Sequence, residues 1–395
     1  MNKHRNTILS FITAIMLFVS INIYNNVYDK IELAFKLNKD NVCALDESNN
    51  AKEHDIDLKV SNINNESIPT KKDLYATTSE IKLYPGGQPL GIKLNTKGAL
   101  VIAISDIETE KGIISPGAKA GIQIGDSILK INNEQVQSSE DVATYINRCD
   151  GEEVKITVQR KDEVLQLELK PVKSLNDDKY KIGLWVRDST AGVGTLTFYD
   201  AKSKKFGALG HPITDVDTGN IMSIANGEIL SSNIVSVRKG TKGNPGELRG
   251  IFIEEETSLG KIENNTECGI FGQGKDTLKN QVYSEPLPVA KREEIKVGPA
   301  KILTTVEGTE PKFYDIEIEK LLTQSSPGSK SMVIKITDEK FLEEVGGIVQ
   351  GMSGSPIIQD GKIVGAVTHV LINKPDTGYG VYIDWMLKDA DILSK

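Results

Sequence analysis

Residues 346–358 read Gly-Gly-Ile-Val-Gln-Gly-Met-Ser-Gly-Ser-Pro-Ile-Ile. A serine set close to glycines on a tight loop can expose its hydroxyl. The neighbouring backbone N–H groups can then converge on one point, as an oxyanion requires. Downstream, Ile357-Ile358, an Asp360-Gly361 turn and Ile363–Val367 form two apolar runs that read as strands holding the loop. The ordinary alternative for such a stretch is a Gly-Ser hairpin turn. From about Tyr180 to the end, short apolar runs alternate with Gly-rich turns, and no long amphipathic helix occurs before the last residues. That pattern predicts an all-β barrel or sandwich.

A serine nucleophile needs a base. The chain has four histidines. His4 precedes an apolar N-terminal stretch and His54 lies in a polar linker. His369, in the strand-like run Ala366–Leu371, reads as a satisfied, partly buried strand residue. His211 stands in Gly207-Ala208-Leu209-Gly210-His211-Pro212-Ile213, a loop that presents its side chain, and is the candidate base. Near it in sequence are Asp215, Asp217 and Asp200, three possible partners for the histidine.

The chain has 395 residues, 38% of them hydrophobic, which suffices for two or three domains with real cores. Its formal net charge of −8 leaves no basic excess, so nucleic-acid binding is disfavoured as the main activity. Three dispersed cysteines without a CxxC pair support neither a zinc ribbon nor a dithiol redox site. Thr7–Tyr24 is uncharged and follows Lys3, His4 and Arg5, which predicts a membrane-crossing anchor with the remainder on the far side; a cleaved secretory signal is the competing reading. The expected organisation is 1–24 cytoplasmic tip and anchor, 25–80 polar linker, 81–173 a small β domain, and 174–395 the domain carrying Ser353.

Within 81–173, Ala99–Ile104, Ser127–Ile131 and Val154–Val158 read as strands, and Ser138–Asn147 as a helix with Ser139 as a cap. The block Pro116-Gly117-Ala118-Lys119-Ala120-Gly121-Ile122-Gln123-Ile124-Gly125-Asp126 resembles that of a PDZ domain of the kind attached to bacterial proteases. By that resemblance Leu90-Gly91-Ile92 is the carboxylate-binding loop. The implied ligand is a peptide C-terminus or an internal strand added beside the helix.

Taken together, anchor, PDZ unit, Gly210-His211-Pro212 and Gly351-Met352-Ser353-Gly354-Ser355-Pro356 resemble the stage IV sporulation protein B family of serine peptidases. The resemblance implies a mostly β fold with an N-terminal transmembrane helix, a PDZ domain and a chymotrypsin-like double β-barrel with the site between barrels. It also implies Ser353 as nucleophile, His211 as general base and Asp338 as the orienting acid, with the N–H groups of Gly351 and Ser353 as oxyanion donors. Asp215, Asp217 and Asp200 stay open as alternatives, and Thr337-Asp338-Glu339-Lys340 also reads as a helix start. No metal or organic cofactor is expected. The role implied is self-cleavage in the N-terminal region, then cleavage of a membrane regulatory protein of an intramembrane metalloprotease complex. That step releases processing of a sigma factor precursor, in the space between the inner and outer forespore membranes. A non-catalytic PDZ scaffold and a broad quality-control protease are the other readings.

Overall fold

The computed structural model describes residues 81–393. The anticipated anchor Thr7–Tyr24 and the whole of the 25–80 linker lie outside the described residues. Among the described residues, no helix is long and apolar enough to cross a membrane.

Two closed, six-stranded antiparallel circuits dominate the fold. The first comprises β1 (Pro89–Ile104), β2 (Leu184–Asp200), β3 (Lys205–Ala208), β4 (Ile224–Arg238), β5 (Glu247–Thr266) and β6 (Gly269–Gly274). Pairing runs β1–β2–β3–β6–β5–β4 and returns to β1. The second comprises β7 (Gly298–Thr304), β8 (Lys312–Leu321), β9 (Met332–Ile336), β10 (Pro356–Gln359), β11 (Lys362–Leu371) and β12 (Lys374–Tyr382), closed in the order β7–β8–β9–β12–β11–β10. Closure removes unpaired sheet edges, and inward residues alternate along each strand to fill the interior. Ile334, Ile336, Ile316 and Ile318 are such fillers, all nearly inaccessible. The all-β expectation and its double-barrel form both hold.

The PDZ unit is placed differently from expectation. Its core of Val101, Ile128, Ile131, Val142, Ile146, Ile156 and neighbours is separate from the barrel cores. A short helix α1 (Pro116–Lys119) opens the Pro116–Asp126 block, and helix α2 (Ser139–Arg148) falls within a residue of where the sequence placed it, although its cap is Ser138 rather than Ser139. Ser138 forms a reciprocal capping box with Asp141. The unit does not begin at residue 81, however. Lys82–Pro85 pairs with β2 at Tyr199 and Phe198, and the first half of β1 belongs to the first barrel. The PDZ unit is therefore an insertion between β1 and β2, which run together from the barrel into the PDZ sheet. Thr96 pins the crossing, donating from Oγ1 to Gly98 O at 2.7 Å and lying 3.1 Å from Asp188 O.

This placement corrects the reading of Leu90-Gly91-Ile92. These residues are not a loop with free N–H groups. They sit inside β1, paired to β2 on one side and to β4 on the other, and Leu90 is fully buried. The local pattern matched a peptide-binding loop, but pairing with residues a hundred positions away spends the backbone.

Candidate active site

The site forms where the barrels meet. Ser353 lies on the loop entering β10 of the second barrel; His211 follows β3 of the first. Both line one cavity of about 610 Å³. Two left-handed residues precede the histidine, Leu209 (φ 69°) and Gly210 (φ 70°). Such a conformation is uncommon for a leucine and persists where surrounding contacts impose it. Here a Cβ on Gly210 would meet Thr368 Cγ2 at 2.9 Å, so the glycine lets the histidine loop touch the second barrel.

The serine loop is tied to the first barrel by Thr195 of β2. Its Oγ1 donates to Gly351 O at 2.7 Å and its backbone N donates to Ser353 O at 3.0 Å. Ser355, fully buried, closes the loop from within by donating to Met352 O at 2.6 Å. The Gly351 and Ser353 carbonyls are thus both spent on Thr195, and the N–H groups of the loop divide into two pairs. Met352 N donates to Val349 O and Gly354 N to Val367 O, whereas among the described residues Gly351 N and Ser353 N donate to no protein acceptor. Two unspent N–H groups flanking a serine are the requirement for an oxyanion hole.

Ser353 Oγ donates to Thr368 O at 2.8 Å. Turning it onto the histidine takes a side-chain rotation between staggered wells. His211 Nδ1 lies 2.8 Å from Pro212 O. A carbonyl only accepts, so this contact assigns the proton to Nδ1 and leaves Nε2 as the basic nitrogen. The Pro212 carbonyl thus does for the tautomer what an acid does in a triad, without contributing a negative charge.

The orienting acid is where the structure departs from expectation. Asp338 caps helix α3 (Glu339–Glu344), its Oδ1 accepting from Phe341 N at 3.0 Å. Among the described residues, no carboxylate hydrogen-bonds or ion-pairs with His211. Asp200 accepts from Lys202 N and from Ser203 in a local turn. Asp215, buried, and Asp217 are both gripped by Arg187. Burial pushes the Asp215 carboxyl up, but hydrogen bonds from Thr218 and Arg187 outweigh it and hold it below the usual range. This clamp fixes the loop that follows His211, and Asn265 adds three hydrogen bonds to the same loop. The adjacent Asp188 accepts from Ser139 N at 2.7 Å and Ser139 Oγ at 3.0 Å, so neighbouring residues of β2 hold the histidine loop and the start of α2.

The capping role yields a direct expectation. Asp338→Ala should cost about 1 kcal/mol in urea unfolding, while Asp338→Asn, which still caps, should cost a few tenths at most.

His369 is the residue the sequence reading left as structural. Its ring lies 5.0 Å from that of His211, between centroids, at 42°, and it lines the same cavity. Its Nδ1 is buried and, among the described residues, has no hydrogen-bond partner. The residue before it, Thr368, accepts the serine hydroxyl through its carbonyl, a contact that only the fold reveals. Burial, then the neighbouring His211 and Lys330, push its pKa down to about 4. Burial also lowers that of His211, against the favourable contact with Pro212 O.

These directions set a pH dependence. A histidine base works only when neutral, so with His211 in that role kcat/KM should rise with pH through a midpoint below 6.5, the ordinary histidine value, and stay flat above it. A carboxylate-paired histidine would shift the midpoint upward instead. Stability carries the same sign. The unfolded chain takes up protons on its histidines near pH 6.5 and the folded His369 only near 4, so stability is full above about pH 6.5 and falls as pH drops towards 4. Urea midpoints between pH 4 and 8 check this.

The chain is similar to known proteins in both its PDZ unit and its barrels. A PDZ domain model matches residues 113–160. A probable periplasmic serine endoprotease, DegP-like, of Brucella suis is 28% identical over 186 residues, which is 43% of this chain and 34% of that protein. A putative zinc metalloprotease of Clostridium acetobutylicum is 34% identical over 70 residues, 18% of this chain and 21% of that one. The chain thus spans about a third, or less, of the length of these curated relatives. Among solved structures, the active form of the Rv3671c protease of Mycobacterium tuberculosis is 15% identical, covers 52% of this chain and 76% of its own, and has a TM-score of 0.30. The PDZ domain of an SdrC-like protein from Listeria monocytogenes is 23% identical, with coverage of 23% and 87% and a TM-score of 0.19. The model of the SpoIVB peptidase S55 family matches residues 178–387, more than half the chain and both barrel halves of the cavity, and the chain belongs to that family of serine peptidases.

Proposed function

We propose that this serine peptidase works by acyl transfer, with Ser353 as nucleophile, His211 as general base and the N–H groups of Gly351 and Ser353 as oxyanion donors. The observation that carries the reading is that His211, Ser353 and Gly351 line one cavity, and that the N–H groups of Gly351 and Ser353 have no acceptor among the described residues. Rotation brings Ser353 Oγ off Thr368 O and onto His211 Nε2. The Oγ then attacks the peptide carbonyl as its proton passes to Nε2. The imidazolium returns that proton to the leaving amine, and water repeats the sequence on the acyl-enzyme. Pro212 O keeps the ring oriented throughout, where the resemblance had assigned Asp338.

The biological reading is a membrane-anchored signalling peptidase acting outside the cytoplasm, between the forespore membranes. It cuts its own N-terminal region and then a regulator of an intramembrane metalloprotease. The PDZ unit supports peptide recognition. Since β1 is paired on both edges, an added strand would use the outer edge of β2 over Leu184–Thr190, which among the described residues pairs with nothing and runs beside α2. The test is incubation of the chain from Asn25 onward beside its Ser353→Ala variant, followed by intact mass. Discrete N-terminal fragments from the wild type alone are expected; identical stability of the two removes the self-cleavage reading. The DegP-like similarity favours a second reading, broad proteolysis, and rapid degradation of unfolded casein would support it over one or two discrete cuts.

A further inference from the structure

We propose that the peptidase cleaves beside aliphatic residues and excludes ionised ones, with the wall formed by Ile348, Val349, Val370 and Ile372 as the determinant. The proposal rests on the acyl-transfer reading of the same cavity and names its substrate class.

The argument begins with what the cavity lacks. Charged residues make up 26% of the chain. None of the described residues lining the cavity is Asp, Glu, Lys or Arg; the titratable groups among them are the two histidines. The ionised groups around the cavity are engaged outside its lining: Asp215 and Asp217 are bound by Arg187, Glu247 and Arg249 ion-pair in the adjoining depression, and Lys330, whose charge is felt by His369, stacks over the Tyr379 ring. A Lys, Arg, Asp or Glu side chain entering the cavity would leave water and meet no counter-ion in the described lining, which is costly.

What the cavity presents is aliphatic and comes from both sides of the reacting serine. Ile348 and Val349 stand just before the Gly351–Ser353 turn, and Val370 and Ile372 just after His369. Ile348 and Val349 are almost inaccessible and fix the floor; Ile372 is 53% exposed at the rim, where Val216 is 86% exposed. Exposed branched aliphatics at the mouth of a reactive cavity are a binding surface rather than core. Val193 of β2 lines the opposite wall. A branched or linear aliphatic side chain fits this lining, and in such pockets each methylene gained or lost changes rates by roughly 10–200-fold.

The experiment uses the chain from Asn25 onward and a set of internally quenched peptides identical except at the residue before the scissile bond: Val, Leu, Ala, Lys, Arg, Asp and Glu. A fluorophosphonate probe, which reports a reactive Ser353 without needing a side-chain pocket, is run in parallel. The expected result is labelling of Ser353, kcat/KM for Val or Leu at least about 100-fold above Lys, Arg, Asp or Glu, and Ala between them. Val370→Glu should narrow the gap for Lys and Arg while widening it for Asp and Glu. Ile372→Glu, on an exposed position that leaves the core intact, should do so in weaker form. Labelling without an aliphatic preference, cleavage of no peptide included, overturns the proposal and leaves the acyl-transfer reading standing. Absence of labelling in a folded protein overturns the acyl-transfer reading itself.

Discussion

Ser353→Ala should lower kcat/KM by about 10⁴–10⁶-fold, and His211→Ala should cost about as much, with the double variant little worse than either single one. The reason is that the hydroxyl and the ring act as one unit: without the base the hydroxyl keeps its proton, and without the hydroxyl the base has nothing to activate. The backbone donors survive in both variants, because alanine keeps the N–H at 353. A residue of about 10³-fold over the uncatalysed reaction is therefore expected from the oxyanion hole and binding. Folding should barely notice the change. Among the described residues, the only hydrogen bond Ser353 Oγ makes is to Thr368 O, a neutral contact contributing roughly 1 kcal/mol. Steady-state rates on an aliphatic peptide, beside a urea transition for each variant, separate the two effects. Signalling that persists unchanged in Ser353→Ala would instead identify a PDZ scaffold whose Gly-Ser loop is only a turn.

The parts of this site that could be read from sequence are those with a local backbone signature. Ser353 sits in a run of glycines that take positive φ, and His211 follows a glycine and precedes a proline; each residue announces its own loop. Asp338 illustrates the converse. Its assignment as the acid came from family resemblance, while its immediate neighbours spelled a helix start, and the structure uses it as the cap. The orienting contact that does reach His211 comes from a backbone carbonyl, which no residue type encodes. His369 was passed over because a histidine in an apolar strand is usually core. Only the closure of the second barrel, which sets β11 against the serine loop, puts its ring beside His211. The insertion of the PDZ unit was hidden for a related reason. Leu90-Gly91-Ile92 has the local pattern of a loop, and its actual partners, Val193 and Leu230 among them, are far away in the chain.

Gly354→Ala should cost roughly 3–5 kcal/mol and abolish activity through misplacement of the serine, even though residue 354 touches no substrate. Two costs add. Gly354 has φ 96°, a conformation that an L side chain rarely adopts. A Cβ there would also lie 2.1 Å from Thr195 O and 2.5 Å from Leu209 N. Both are backbone atoms of the first barrel, so no rotamer change relieves the contact and the barrels themselves must separate. The surrounding hydrogen bonds resist that movement: Thr197 Oγ1 donates to Gly354 O at 2.8 Å and Gly354 N donates to Val367 O at 2.8 Å. Gly361→Ala is the matched control. It has a similar backbone state, φ 74°, but nothing within 4 Å of the new methyl, and should cost only about 1 kcal/mol. A difference of several degrees in Tm between the two variants measures the inter-barrel contact alone. Equal stability would mean that the serine loop is not wedged between the barrels. If the difference is found, the glycine after the nucleophile has a role separate from catalysis: it lets the two barrels close to the distance at which a histidine from one and a serine from the other share a cavity.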